Sequence, residues 1–136
     1  MSSTTTAENL LLDSWFGAVA LSVPGTWYAS LSTAAPTEAG TNFVEPVGNG
    51  YARVAITNNL SNFPSATSGA KTNGTAITFP ESAASWGTIT HVGFYNQATG
   101  GSLYFWEQLP TSKAVAANTT VYFSIGSLTI SNLNAG

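Results

Sequence analysis

Short runs that alternate apolar and polar residues constrain this chain most. In "TWYASLST" (residues 26–33), Trp27, Ala29 and Leu31 alternate with Tyr28, Ser30 and Ser32. In "GYARVAITN" (50–58), Ala52, Val54 and Ile56 alternate with Tyr51, Arg53 and Ala55. "AITF" (76–79), "WGTITHVGFYN" (86–96), "SLYFWEQL" (102–109), "TTVYFSIG" (119–126) and "SLTISNL" (127–133) continue the series. Side chains of a strand point to opposite faces in turn, so a period of two marks a half-buried strand. Gly, Pro, Asn and Ser fill the gaps, and "QATGG" between the fourth and fifth runs suits a hairpin. About seven short strands with such turns predict an all-β sandwich or barrel.

One segment has a different period. Leu11, Trp15 and Val19, with Leu12 and Phe16, recur four residues apart and predict a helix over Ala7–Leu21 with one apolar face. Thr5 and Glu8 have the spacing of a capping box, and "VPG" (23–25) ends the segment. Residues 1–6 read as a polar, flexible arm. The arm has no basic start and Glu8 and Asp13 break the apolar run, so no secretion signal is expected. No run has the ~18 apolar residues of a membrane span. Two long segments, Ala34–Asn49 and Asn58–Thr75, are expected as loops ordered against neighbouring subunits. The expected architecture is a single-domain antiparallel β-sandwich, jelly-roll-like, over residues 7–136, with one N-terminal α-helix (7–21) and long ordered loops.

Charge narrows the function. Only 7% of residues are charged, against about a quarter in ordinary soluble proteins. Little repulsion keeps copies apart, which favours association. Three dispersed basic residues and a net charge of −3 argue against nucleic acid and against an anionic membrane as partners. There is no cysteine, hence no disulfide and no thiol nucleophile.

The residues that could carry chemistry do not assemble into a known constellation. His91 is the only histidine, too few for the usual zinc sets, and no GxSxG elbow accompanies it. Glu45, Glu81 and Glu107 could supply a glycosidase pair, but no spacing places two of them together. Arg53, inside a predicted strand, is expected to pair with Glu45 or Glu81 and fix a loop, or else to make an inter-subunit contact. Tyr104 and Trp106 share one face of their predicted strand, with Phe105 on the other, so the sheet is expected to be covered on both sides by the helix or by another copy. Alternatively these rings form a sugar-stacking or protein-binding platform. No catalytic residue, metal ligand or cofactor is predicted.

The ordered pieces "ENLLLDSWFG", "WYASLSTAAPTEAG", "EPVGNGYARVAI", "NGTAITFPESAASWGTITHVGFYN", "ATGGSLYFWEQL" and "LTI" resemble a family of small tailed-phage virion proteins, loosely labelled tail-fibre proteins. The resemblance runs from Glu8 to Ile130. It implies a non-enzymatic structural protein of the virion, made in the host cytoplasm and assembled in many copies. Gly50, Tyr51, Arg53, Trp86, Gly87 and Gly93 are then fold determinants, and Glu107 stands where a small residue is expected. Two placements are open. The first is a capsid decoration (cement) protein, a dimer or trimer clamping the major capsid protein. The alternative is a tail, fibre or baseplate component binding a host-surface glycan.

Overall fold

The longest hairpin, β6 (Gly87–Tyr95) with β7 (Leu103–Val115), forms the centre of the molecule. The computed structural model describes residues 1–131, so Asn132 and Leu133 of the predicted closing strand lie outside it. β6 pairs on its other side with β2 (Thr26–Ser32), and β2 pairs with β3 (Val54–Thr57). β1 (Ser2–Ser3) adds to the far edge of β7. The result is a five-stranded antiparallel sheet in the order β1-β7-β6-β2-β3.

One face of this sheet carries core residues, among them Ala29, Leu31, Val92 and Phe94. A second, shorter layer packs on it. It consists of two two-stranded ribbons, β4 (Lys71–Thr72) with β9 (Thr129–Ile130) and β5 (Ile77–Thr78) with β8 (Tyr122–Phe123). Their Ile77, Phe79, Val121 and Leu128, with Phe63 from the loop before β4, complete one core that includes Trp86 and Ile89. The fold is therefore an all-β single domain in two layers. Gly, Asn, Ser and Pro crowd residues 58–86 and 116–128, which keeps each ribbon to two residues per strand.

The long segment 34–49 lies over the opposite face of the sheet, where the helix was one of the expected covers. Phe43 packs edge-on against Tyr95 at 5.6 Å. Ser32 anchors the segment, its hydroxyl accepting from Val44 N–H at 2.8 Å and donating to Ala34 C=O at 2.7 Å. The second long segment, 58–75, is ordered by its own chain too. Phe63 stacks edge-on to Phe94 at 6.2 Å, and Gly74 N–H donates to Asn62 C=O at 2.7 Å. Each loop inserts an aromatic ring into its own domain.

The N-terminus departs from expectation in the same way. Ser2 and Ser3 pair with Trp106 and Phe105, so the supposed flexible arm is an edge strand. Thr4 is fully buried and is the helix N-cap, in place of Thr5. Its hydroxyl donates to Leu103 C=O at 2.7 Å, and Glu8 accepts from the Ser3 hydroxyl at 2.8 Å instead of closing a capping box on Thr5. Helix α1 spans Thr5–Gly17, not Ala7–Leu21. Phe16 already leaves helical geometry, Ala18 turns left-handed at φ 54°, and Val19 N–H bonds back to Asp13 C=O at 3.1 Å. This is a Schellman-type stop, reached well before Pro24 could act.

Candidate functional site

Arg53 sits on the covered face and makes the ion pair with Glu45 inside its own chain. Nε and Nη2 donate to the two carboxylate oxygens at 2.9 and 2.7 Å, a bidentate fork. Nη1 donates to Gln97 C=O at 2.7 Å and Gly100 C=O at 2.8 Å, and the guanidinium lies 3.7 Å over the Tyr95 ring. One side chain therefore ties the 34–49 segment to the β6–β7 turn. Burial alone would lower the guanidinium pKa, but the hydrogen bonds and charge of Glu45 outweigh it and raise it. Tyr51 extends the network, donating to Glu45 at 2.7 Å and accepting from Leu31 N–H at 3.0 Å. Burial, then the Glu45 carboxylate, pushes its phenol far above the ordinary range. Every contact here is internal, and the arrangement acts as a staple.

Tyr104 and Trp106 do not share a face. A bulge between Phe94 and Tyr95 opposes Tyr95 to Leu103 and Phe94 to Phe105, leaving Tyr104 as the extra residue. Tyr104 and Phe105 then both meet Trp27, at 5.2 and 6.0 Å between centroids. Trp106 turns the other way, onto His91 at 5.7 Å. The two half-buried rings cannot form one platform for a sugar. A second irregularity lies between Ile89 and His91, where β7 carries Pro110. It moves Ile89 to the core side with Val92, so Ile89 and His91 do not share a side as strict alternation predicts. His91 is buried, its Nδ1 at 2.7 Å from the Thr90 hydroxyl, and burial lowers its pKa.

The three glutamates stand apart in their roles. Glu45 is in the staple, Glu81 is exposed, and Glu107 lies 4.0 Å from the Met1 amino group. Burial raises the Glu107 pKa and the Met1 charge opposes that rise. Among the described residues no group of three metal-ligating side chains occurs, and no helix is long and apolar enough to cross a membrane.

The surface that stands out lies elsewhere, around α1. Of the helix only Ala7 is buried. Trp15 is 78% exposed and Phe16 84%, with Leu12, Val19 and Val23 exposed nearby. A narrow groove of about 80 Å³ separates the helix from Trp27, Tyr104 and Phe105. Beyond the Trp27–Phe105 ridge lies a larger cavity of about 290 Å³, walled by Phe63, Phe94 and Ile130 and rimmed by Asn58, Leu60 and Lys71. Several large exposed apolar side chains in one short segment make it the candidate interaction site. The sequence predicts one apolar face for the helix without fixing what covers it, although one signal pointed outward. Leu10, Leu11 and Leu12 are consecutive. At ~100° per residue they span about 200° of helix, more than a helix lying on a sheet can bury.

Residues 2–131 match the family model described as "Podophage GP4 fiber I protein gp80". No curated protein matches the chain.

Proposed function

The chain belongs to the podophage GP4 fiber I protein gp80 family, a family of phage structural proteins, and from that premise we propose that it is a non-catalytic building block of a virion fibre, held in place through the apolar face around α1. The observation that carries this is the exposure of Trp15 and Phe16 beside a core that is complete without them. Burying one such side chain contributes about 1.5–3 kcal/mol, so a partner covering several of them gains enough to hold the domain in an assembly. The domain suits the task. The Arg53 staple ties its long loop down, and its surface has little charge to oppose close packing. Synthesis and folding in the host cytoplasm precede incorporation.

The family description names a fiber, which favours this reading over a head-lattice decoration bound to the major capsid protein. Quantitative mass spectrometry of purified particles tests it. A small, fixed copy number far below that of the major capsid protein is expected. A simple ratio near one to the capsid subunit would overturn the fibre reading and restore the decoration one.

A further inference from the structure

The cavity of about 290 Å³ lies beyond the Trp27–Phe105 ridge, and no residue of α1 lines it. We propose that it holds one apolar side chain of a different virion protein, whose peptide segment crosses the rim and presents a carboxylate to Lys71. This contact rests on the fibre reading above and lies beside the α1 face, not on it.

Three features select this occupant. The first is size and lining. A volume of about 290 Å³ is at the small end of ligand sites, with room for one ring-sized group. Trp27, Phe63, Phe94, Phe105 and Ile130 wall it. A sugar ring would press its hydroxyls against these walls without partners, which costs free energy for each one. A Leu, Phe or Trp side chain buries apolar surface there instead.

The second is charge. Lys71 stands half-buried at the cavity and donates to Phe63 C=O and Pro64 C=O, both at 3.1 Å. These bonds fix the ammonium and leave it a third N–H. Among the described residues no carboxylate pairs with Lys71. A fixed cation without a counter-charge, beside an apolar cavity, is complementary to an anion carried next to an apolar group.

The third is the polar rim. Asn58 Nδ2 donates to Pro24 C=O at 2.8 Å, and Asn59 Oδ1 accepts from Asn62 N–H at 2.9 Å. Both amides are thereby oriented, and Asn58 Oδ1 and Asn59 Nδ2 have no partner among the described residues. One free acceptor and one free donor match the N–H and C=O of a passing main chain. Side chain, main chain and carboxylate of one peptide segment each find a counterpart here.

Photo-crosslinking in purified particles tests this. Leu60 is 65% exposed at the rim and is replaced by p-benzoylphenylalanine, with circular dichroism to verify the fold. The expected adduct is to a virion protein other than this chain, at an apolar residue beside an Asp or Glu. Its yield should fall several-fold with Lys71→Gln, hold in part with Lys71→Arg, and be lost with Lys71→Glu. Changing the mapped Asp or Glu to Lys should restore it in the Lys71→Glu background, which a merely structural role for Lys71 would not allow. Where a Lys71 variant fails to fold, added salt on the wild-type lysine reads the same charge and should lower the yield. An adduct to another copy of this chain, an adduct at a segment without an acidic neighbour, or a yield indifferent to Lys71→Gln would overturn the proposal. So would a host-surface polysaccharide that changes tryptophan fluorescence of the isolated protein but not of its Trp27→Phe variant, since a glycan would then occupy the cavity. No adduct in particles that hold the protein at fibre copy number would sink this contact and leave the fibre reading standing. Absence of the wild-type protein from particles would sink the fibre reading itself.

Discussion

Arg53 shows how one side chain can settle a loop. It is one of only three basic residues, and four hydrogen bonds and a ring contact converge on it. Replacing it by Met leaves Glu45 half-buried with the Tyr51 hydroxyl but no cation, and urea unfolding is expected to show a loss of about 2–4 kcal/mol. Arg53→Lys keeps the charge but not the fork, and should recover less than half of that loss. In the double change Arg53→Met with Glu45→Gln, the cost should fall below the sum of the singles. Gly93 makes a different demand. A Cβ there would lie 2.7 Å from Leu103 Cδ1, 2.9 Å from Phe43 Cε2 and 3.1 Å from Phe105 C=O, so Gly93→Ala is expected to cost about 1–3 kcal/mol in the same assay. His91 makes stability depend on pH. Its folded pKa lies below the ordinary 6.5, so the unfolded chain binds the proton more readily. Its contribution is present above pH 6.5 and is lost as pH falls through the folded value. Glu107, raised above its ordinary 4.5, acts in the opposite sense: its contribution is present below 4.5 and is lost as pH rises through the folded value. Melting temperature in a Glu107→Gln background should therefore fall on acidification below 6.5, and His91→Gln should flatten that fall.

At the scale of elements, period-two alternation in Trp27–Leu31 and Val54–Ile56 identified β2 and β3, and the run 86–96 contains β6. It failed where β7 bulges. Alternation assumes one residue per step, and an extra residue at Tyr104 shifts every side chain beyond it. That Arg53 needs a carboxylate was legible because a charge inside an apolar strand needs a partner, but the choice of Glu45 over Glu81 was not. The exposed apolar side of α1 was not, because periodicity reports which helical residues share a side and says nothing of what covers them. The N-terminal strand was also missed. Ser2 and Ser3 have no apolar pattern, and Thr4 holds them by a buried bond to Leu103. Thr4→Ala removes both that bond and the helix cap. It is expected to cost about 1–3 kcal/mol and to open residues 1–17 to proteolysis before the rest of the domain.

At the scale of the whole molecule, a two-layered β domain completes its core from its own loops and leaves one helix standing apolar on the outside. On the proposed function, such a phage structural protein has a body complete in itself and one adhesive face. The most direct test of that division is particle assembly with the Trp15→Ser, Phe16→Ser double variant supplied in place of the wild-type chain. The account expects the variant to fold, with a melting temperature close to wild type, and to be missing from purified particles. Incorporation at the wild-type copy number would contradict it, because the exposed rings would then contribute nothing to holding the protein in the virion.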